Sequence, residues 1–184
     1  NGDVLASGID PSDMQAVVDT HRVLQALRAR IAMQPTDAQT ILHSRRNPAA
    51  TGFFVKGDTV QFAVTPGDFG FATVLNLNAG GTVQLVWPFP GLDPVGGPTD
   101  GMTQFNAPVT APYGADYVVT ILSREPLLDL HATLAALHNQ NRALDFYKAL
   151  AGIAQRQDLR IGVNAVFSCE HARSDRQCDF TPSS

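Results

Sequence analysis

"LNLNAGGTVQLVWPFPG", residues 75–91, sets an apolar run, a glycine pair, a second apolar run and a proline stop in one line. Two readings compete for Gly80-Gly81: a glycine loop around a phosphate, or a turn joining two strands. A dinucleotide loop needs three spaced glycines between a strand and a helix, and a Walker-type loop needs a Gly-Lys-Ser/Thr ending that opens a helix. Here the glycines are adjacent, no lysine follows, and the next residues alternate like a strand. The pair is therefore read as a hairpin turn, because glycine accepts the positive φ that tight hairpins require.

The period of two extends outward from this hairpin. "GDTVQFAV" (57–64) places Val60, Phe62 and Val64 on one face, "FGFATVLNL" (69–77) does so with Phe69, Phe71, Leu75 and Leu77, and "TVQLVW" (82–87) with Val83, Leu85 and Trp87. Short turns at Pro66-Gly67-Asp68 and at Asn78 to Gly81 predict an antiparallel meander of these three strands. "MTQFNAPV" (102–109) reads as a fourth strand, and "ADYVVTIL" (115–122) as a fifth whose nearly continuous apolar content predicts burial on both faces. "LRIGVNAVF" (159–167), with Leu159, Ile161, Val163, Ala165 and Phe167 on one face, reads as a last strand returning to the sheet.

Helical periodicity brackets these strands. In "DPSDMQAVVDTHRVLQALRARIAM" (10–33), Met14, Val17, Val18, His21, Leu24, Leu27 and Ile31 recur at three- and four-residue spacing, with Asp10 as cap, Pro11 in the first turn and Asp13 facing the positive end of the dipole. Residues 35–50 read as a polar connector ending in "RRNPAATG", the best candidate linker. Ser123 is expected to cap a helix over "SREPLLDLHATLAAL" that buries Leu127, Leu130, His131, Leu134 and Leu137 or His138. A second helical stretch, about 140–156, is expected to pack Leu144, Tyr147, Leu150 and Ile153. The expected fold is α+β: an antiparallel β-sandwich or open barrel of five to six strands, an N-terminal amphipathic helix, and a C-terminal helical pair before a last strand. The expected division is an N-terminal helix and linker over 1–50 and a β-rich domain with a helical insertion over 51–184, together one compact unit.

Bulk properties exclude some functions. A chain of 184 residues can bury roughly 70% of its unfolded surface without metals or disulfides. Its net charge of −4 argues against a general nucleic-acid binder, which needs a basic surface to displace counterions. No run of about 18 apolar residues occurs, so direct membrane insertion by this segment is not expected. The chain opens at Asn1 rather than at a methionine, which reads as a removed leader or an excised piece of a larger protein.

The longer pattern carries a family signal. "GDTVQFAV", "FGFATVLNLNAGGTVQLVWP" and, after a long loop, "APYGADYVVTILSREPL" resemble a bacterial domain family of unknown function. Its members show a strand opened by Gly-Asp, a "GY…LLN-D-G" hairpin, a proline-closed "LFPN"-like strand and a later "PFG-D" segment. The match covers roughly residues 52–127 through Gly57, Asp58, Gly70, Asn76, Gly81, Pro88, Pro112, Gly114, Asp116, Ser123 and Pro126. It departs at "WPFPG", where the family has Pro-Asn, and at Tyr113, where phenylalanine is common. The resemblance implies a non-catalytic module attached behind caspase-like peptidases, serine/threonine kinases or other envelope-associated bacterial proteins, and it brings no catalytic residues.

The remaining chemistry is sparse. Cys169 and Cys178 in "SCEHARSDRQCDF" form an even pair around a short loop, most simply a disulfide in an exported protein. Rival readings of the same residues are a metal site of Cys169, His171 and Cys178 with Asp179 or Glu170, and a Cys169–His171 nucleophile pair. His131 and His138, seven apart, and His21 read as packed helix residues rather than ligands. No Gly-x-Ser-x-Gly, His-Glu-x-x-His or calcium-loop pattern occurs, and no cofactor is expected. "PFPGLDPVGGPTDG" (88–101) is a long loop beside Trp87, so Trp87, Phe89, Leu92, Asp93 and Tyr113 are the candidate binding residues. The expected function is a non-enzymatic ligand- or protein-binding module of a larger bacterial envelope or signalling protein, on the periplasmic or extracellular side. The alternative is a metal-dependent or cysteine hydrolase at the C-terminal Cys/His cluster. Helix 11–32 is a candidate for oligomerisation or docking of a partner.

Overall fold

The computed structural model describes residues 6–7, 9–33, 41–45, 53–65, 68–91, 103–153, 156, 158–172 and 178–179. Among the described residues three α-helices, α1 (Met14–Ile31), α2 (Leu128–Leu137) and α3 (Ala143–Ile153), accompany strands β1 (Ala6–Ser7), β2 (Ile41–Arg45), β3 (Phe54–Val55), β4 (Thr59–Thr65), β5 (Phe71–Leu77), β6 (Val83–Trp87), β7 (Thr103–Pro108), β8 (Tyr113–Ser123), β9 (Arg160–Cys169), β10 (His171–Ala172) and β11 (Cys178–Asp179). The protein is α+β. Its main sheet runs β3-β9-β8-β5-β6, with β1 added to the start of β8 at Ala6 and Gly114. All its pairs are antiparallel except the short β3/β9 contact. A second antiparallel sheet, β2-β4-β7, packs on one face, and the helices pack on the other.

The alternation of β8 explains this layering. Ala115, Tyr117, Val119 and Ile121 join Val23, Leu24 and Leu27 of α1, Leu130 and Leu134 of α2, and Phe146 and Leu150 of α3. The residues between them, Val118 and Leu122, join Val60 and Val64 of β4 and Val74 of β5. Each fully buried aliphatic side chain contributes about 1.5–3 kcal/mol, so one strand anchors two separate apolar layers. The two-sided burial read from "ADYVVTIL" is observed.

Several expectations change. The three-strand meander is not formed: β4 takes β2 and β7 as its neighbours, so the chain crosses to the other sheet before β5, and only β5 and β6 make a hairpin. Periodicity fixes which residues share a face but not which strand lies alongside. Within the expected connector, residues 41–45 form β2 on β4; residues 35–40 and 46–50 lie outside the described residues.

Ser123 ends β8 and donates to the Glu125 carbonyl (2.7 Å) rather than capping a helix, and α2 begins only at Leu128. Pro126 disfavours helical geometry at Glu125, which delays the start. In α3, Ala143, Phe146 and Leu150 make the buried stripe, and Leu144 is exposed. On β9 the alternation serves the helical layer only as far as Ile161 and Val163. Beyond it Phe167 is 49% exposed, while Val166 and Ser168 on the opposite face are buried.

The α1 stripe is also rotated: Thr20, Val23, Leu24 and Leu27 are buried, whereas Met14 and Val18 are exposed. The β5–β6 turn explains the rotation. Gly81 has φ +87°, and a Cβ placed on it would lie 2.6 Å from the Ala16 carbonyl carbon. The contact face of α1 therefore begins with small residues, Ala16 and Thr20, which apolar periodicity does not register. Asp10 accepts from the Ser12 amide (2.8 Å) and caps the short 3-10 turn Pro11–Asp13 that leads into α1. Asn141, between α2 and α3, ties these parts together by donating to Asp13 (2.9 Å) and accepting from Thr82 (2.7 Å).

Gly81→Ala is expected to lose about 2–4 kcal/mol, combining positive-φ strain with overpacking against α1. Gly57→Ala, at φ +90° in open space, meets only the strain and is expected to lose about 1 kcal/mol. Urea unfolding of both variants checks the difference.

Candidate functional site

Among the described residues, the sandwich opens at one end into a cleft. Along the face of the main sheet that meets the second sheet, β5 reads Ala72, Val74 and then Asn76, and β8 reads Leu122, Thr120, Val118 and then Asp116. The apolar part lies in the sandwich core, and the polar part lines a cleft of about 590 Å³. Register assembles that floor: Asn76 pairs with Val118 on one side and Gln84 of β6 on the other, and Asp116 pairs with Val166 of β9. Residues 106–112, the end of β7 and the loop to β8, form one wall. Val86, Trp87 and Phe89 form another.

A β-bulge brings Trp87 to this wall. Val74 pairs with Trp87 but Leu75 pairs with Leu85, so Val86 is an extra residue on β6. Such an insertion turns the bulged strand and re-aims its side chains. Trp87 is expected on one face with Val83 and Leu85; those two meet the helical layer, but Trp87 packs with Val86 on the second-sheet side. The next residue is held from behind, since buried His131 on α2 donates through Nε2 to the Pro88 carbonyl (3.3 Å). Phe89 is 51% exposed and meets the Trp87 ring edge-on, with centroids 6.1 Å apart and planes at 78°.

The floor is electrostatically unusual. Asp116 Oδ1 accepts from the Ala79 amide (2.6 Å), but burial dominates and pushes the carboxyl up from 3.8 to about 6. Asn76 Nδ2 donates to Gln84 Oε1 (3.1 Å), which leaves the buried Asn76 Oδ1 with no hydrogen-bond partner among the described residues. Among the described residues the cleft lining contains no lysine, arginine or histidine.

Of the residues singled out in sequence, Trp87 and Phe89 line the cleft. Tyr113 is buried in the adjacent apolar cluster, and Leu92 and Asp93 lie outside the described residues. The sequence does not single out Asn76, Gln84 or Asp116 as binding residues, although Asn76 and Asp116 are among the positions of the family resemblance. For Asn76 and Asp116 the available signal is a polar side chain on a face otherwise filled with apolar ones, whereas Gln84 sits at the ordinary polar position of the β6 alternation.

The C-terminal cluster resolves differently. Cys169 and Cys178 form a disulfide, Cα to Cα 5.6 Å, between the end of β9 and β11. With both sulfurs joined there is no thiolate to act as nucleophile or metal ligand. Glu170 pairs with Lys56 (2.8 Å), and His171 is exposed on β10. His138 Nδ1 accepts from the Leu85 amide (3.1 Å), so it and His131 both tie α2 to β6 and its end. No group of three or more His, Cys, Asp or Glu side chains suited to a metal ion occurs among the described residues. No helix among them is long and apolar enough to cross a membrane. Comparison with protein-family models, curated proteins and solved structures finds no match to this chain.

Two measurements follow from this chemistry. Folded Asp116 holds its proton up to about pH 6 and the unfolded chain releases it near 3.8. The folded state therefore binds more protons between these values, and its stability falls as pH rises through them. Asp116→Asn keeps an acceptor for Ala79 and is expected to match the wild type at pH 3.5. At pH 7.5 it should be more stable by up to about 3 kcal/mol, read from urea unfolding at each pH. Replacing both cysteines with alanine is expected to cost about 2–3 kcal/mol from the released ten-residue loop, read by the same method without reductant.

Proposed function

We propose that this chain is a non-catalytic binding module of a larger bacterial envelope or signalling protein, and that it takes its ligand in the cleft between the two sheets. The carrying observation is the concave site itself, an aromatic wall over a floor of convergent polar groups at the open end of an otherwise apolar sandwich. Its volume lies within the roughly 300–1,000 Å³ typical of small-molecule sites. The resemblance to the domain family appended to peptidases and kinases supports the same reading, because three of the residues that carry it, Asn76, Pro112 and Asp116, line the cleft. The disulfide supports an oxidising compartment, periplasmic or extracellular. Oligomerisation or docking through α1 has little apolar surface to use, since the stripe Val23, Leu24 and Leu27 is spent in the core and Met14 and Val18 remain. The hydrolase reading has no observation in its favour.

The test is a fragment screen by ¹H–¹⁵N correlation spectroscopy on the full chain. Binders are expected to shift the amides of Gln84, Val86 and Asp116 and the Trp87 indole signal together. Binders that shift only signals remote from the cleft, or a library without binders, would overturn the proposal.

A further inference from the structure

We propose that the ligand of this cleft is a neutral, hydroxyl-rich molecule, a saccharide of one or two rings. The inference rests on the cleft being a binding site and narrows what that site takes.

Charge removes the first alternatives. The described lining offers no cation, and the one ionisable group on the floor is the Asp116 carboxyl. A phosphate, nucleotide or carboxylate ligand would lose its hydration with no counter-charge in exchange and would face a carboxylate. An ammonium ligand would find only that carboxyl, one of whose oxygens is already committed to the Ala79 amide.

The polar groups fit hydroxyls better. Asn76, Gln84 and Asn106 supply side-chain amides; Asn76 Nδ2 is given to Gln84 Oε1, so this pair turns the Asn76 oxygen and the Gln84 nitrogen to a ligand as acceptor and donor. A sugar hydroxyl both donates and accepts, so it can match either end. The buried Asn76 Oδ1 has no partner from the described residues, and a ligand hydroxyl would satisfy it. The free lone pairs of Asp116 accept a further hydroxyl.

The aromatics complete the match. Trp87 and Phe89 stand edge to face at 6.1 Å, and Phe89 is half exposed at the rim. An aromatic face of this kind covers the C–H surface of a pyranose while the amides take its hydroxyl edge. A ligand without hydroxyls would leave the amides desolvated and unpaired, a loss that discriminates strongly against it.

The experiment titrates the full chain with glucose, galactose, mannose, N-acetylglucosamine and their neutral disaccharides, with choline and inorganic phosphate as comparison ligands. At least one saccharide is expected to shift the Trp87 indole signal and the Asn76 and Gln84 side-chain amide signals saturably. Phe89→Ala, at an exposed position, and Gln84→Leu are each expected to weaken that binding at least tenfold while keeping the wild-type spectrum elsewhere. Saccharides that leave these signals unmoved, choline binding more tightly than any sugar, or variants that bind undiminished would overturn the proposal. Cleft binding by other fragments with no response to saccharides would refute the saccharide assignment alone and leave the binding-module reading standing.

Discussion

The side chains of β8 feed two different cores, and most of the molecule is arranged around that fact. Val119 and Ile121 point toward α1, α2 and α3, while Val118 and Leu122 point toward the second sheet, and all four are essentially inaccessible to water. A slip of one residue would exchange the two sets and move every side chain into the wrong layer. The register with β9 and β5 is thereby fixed over most of the strand's length. Because β5 alternates in step with β8, its hairpin partner β6 is fixed as well.

The cleft follows from where this apolar pattern ends. On the second-sheet side, Asn76 and Asp116 occupy the positions where another valine would have continued the core. The Ala79 amide offsets only part of the cost of burying Asp116, and the raised pKa is the visible residue of that cost. A carboxyl held in this way destabilises the fold at neutral pH. Such local conflict with the packing rule is expected at functional positions, and the bond to the Ala79 amide in the β5–β6 turn offsets it only in part.

The elements were legible to different degrees, for reasons that lie in particular residues. The hairpin at Gly80-Gly81, the burial of β8, the helix containing His131 and the Cys169–Cys178 pairing are local signals, and each was readable. Strand partnership was not, because nothing in "GDTVQFAV" records that its neighbours are residues 41–45 and 103–108. Trp87 was placed on the wrong face because a bulge depends on the pairing strand and leaves no mark in the alternation itself. Asn76 and Asp116 were visible as family-resemblance positions, but their convergence on one floor requires the register of four strands.

The geometry of β6 also bears on the proposed binding role. As the last strand of its sheet it would ordinarily present a row of backbone groups on which an extended peptide could add. That edge is already occupied. The Leu85 amide donates to His138 Nδ1, the Val83 amide to the Gln140 carbonyl at 2.9 Å, and the Asn139 amide to the Val83 carbonyl at 2.8 Å. The α2–α3 connection therefore does for β6 what a neighbouring strand would do, and peptide addition there would have to displace it. The other side of the same strand carries the bulge that turns Trp87 into the cleft. On the proposed binding role, recognition would be directed away from the sheet edge and into the concave floor, where side-chain amides and aromatic rings line the cleft.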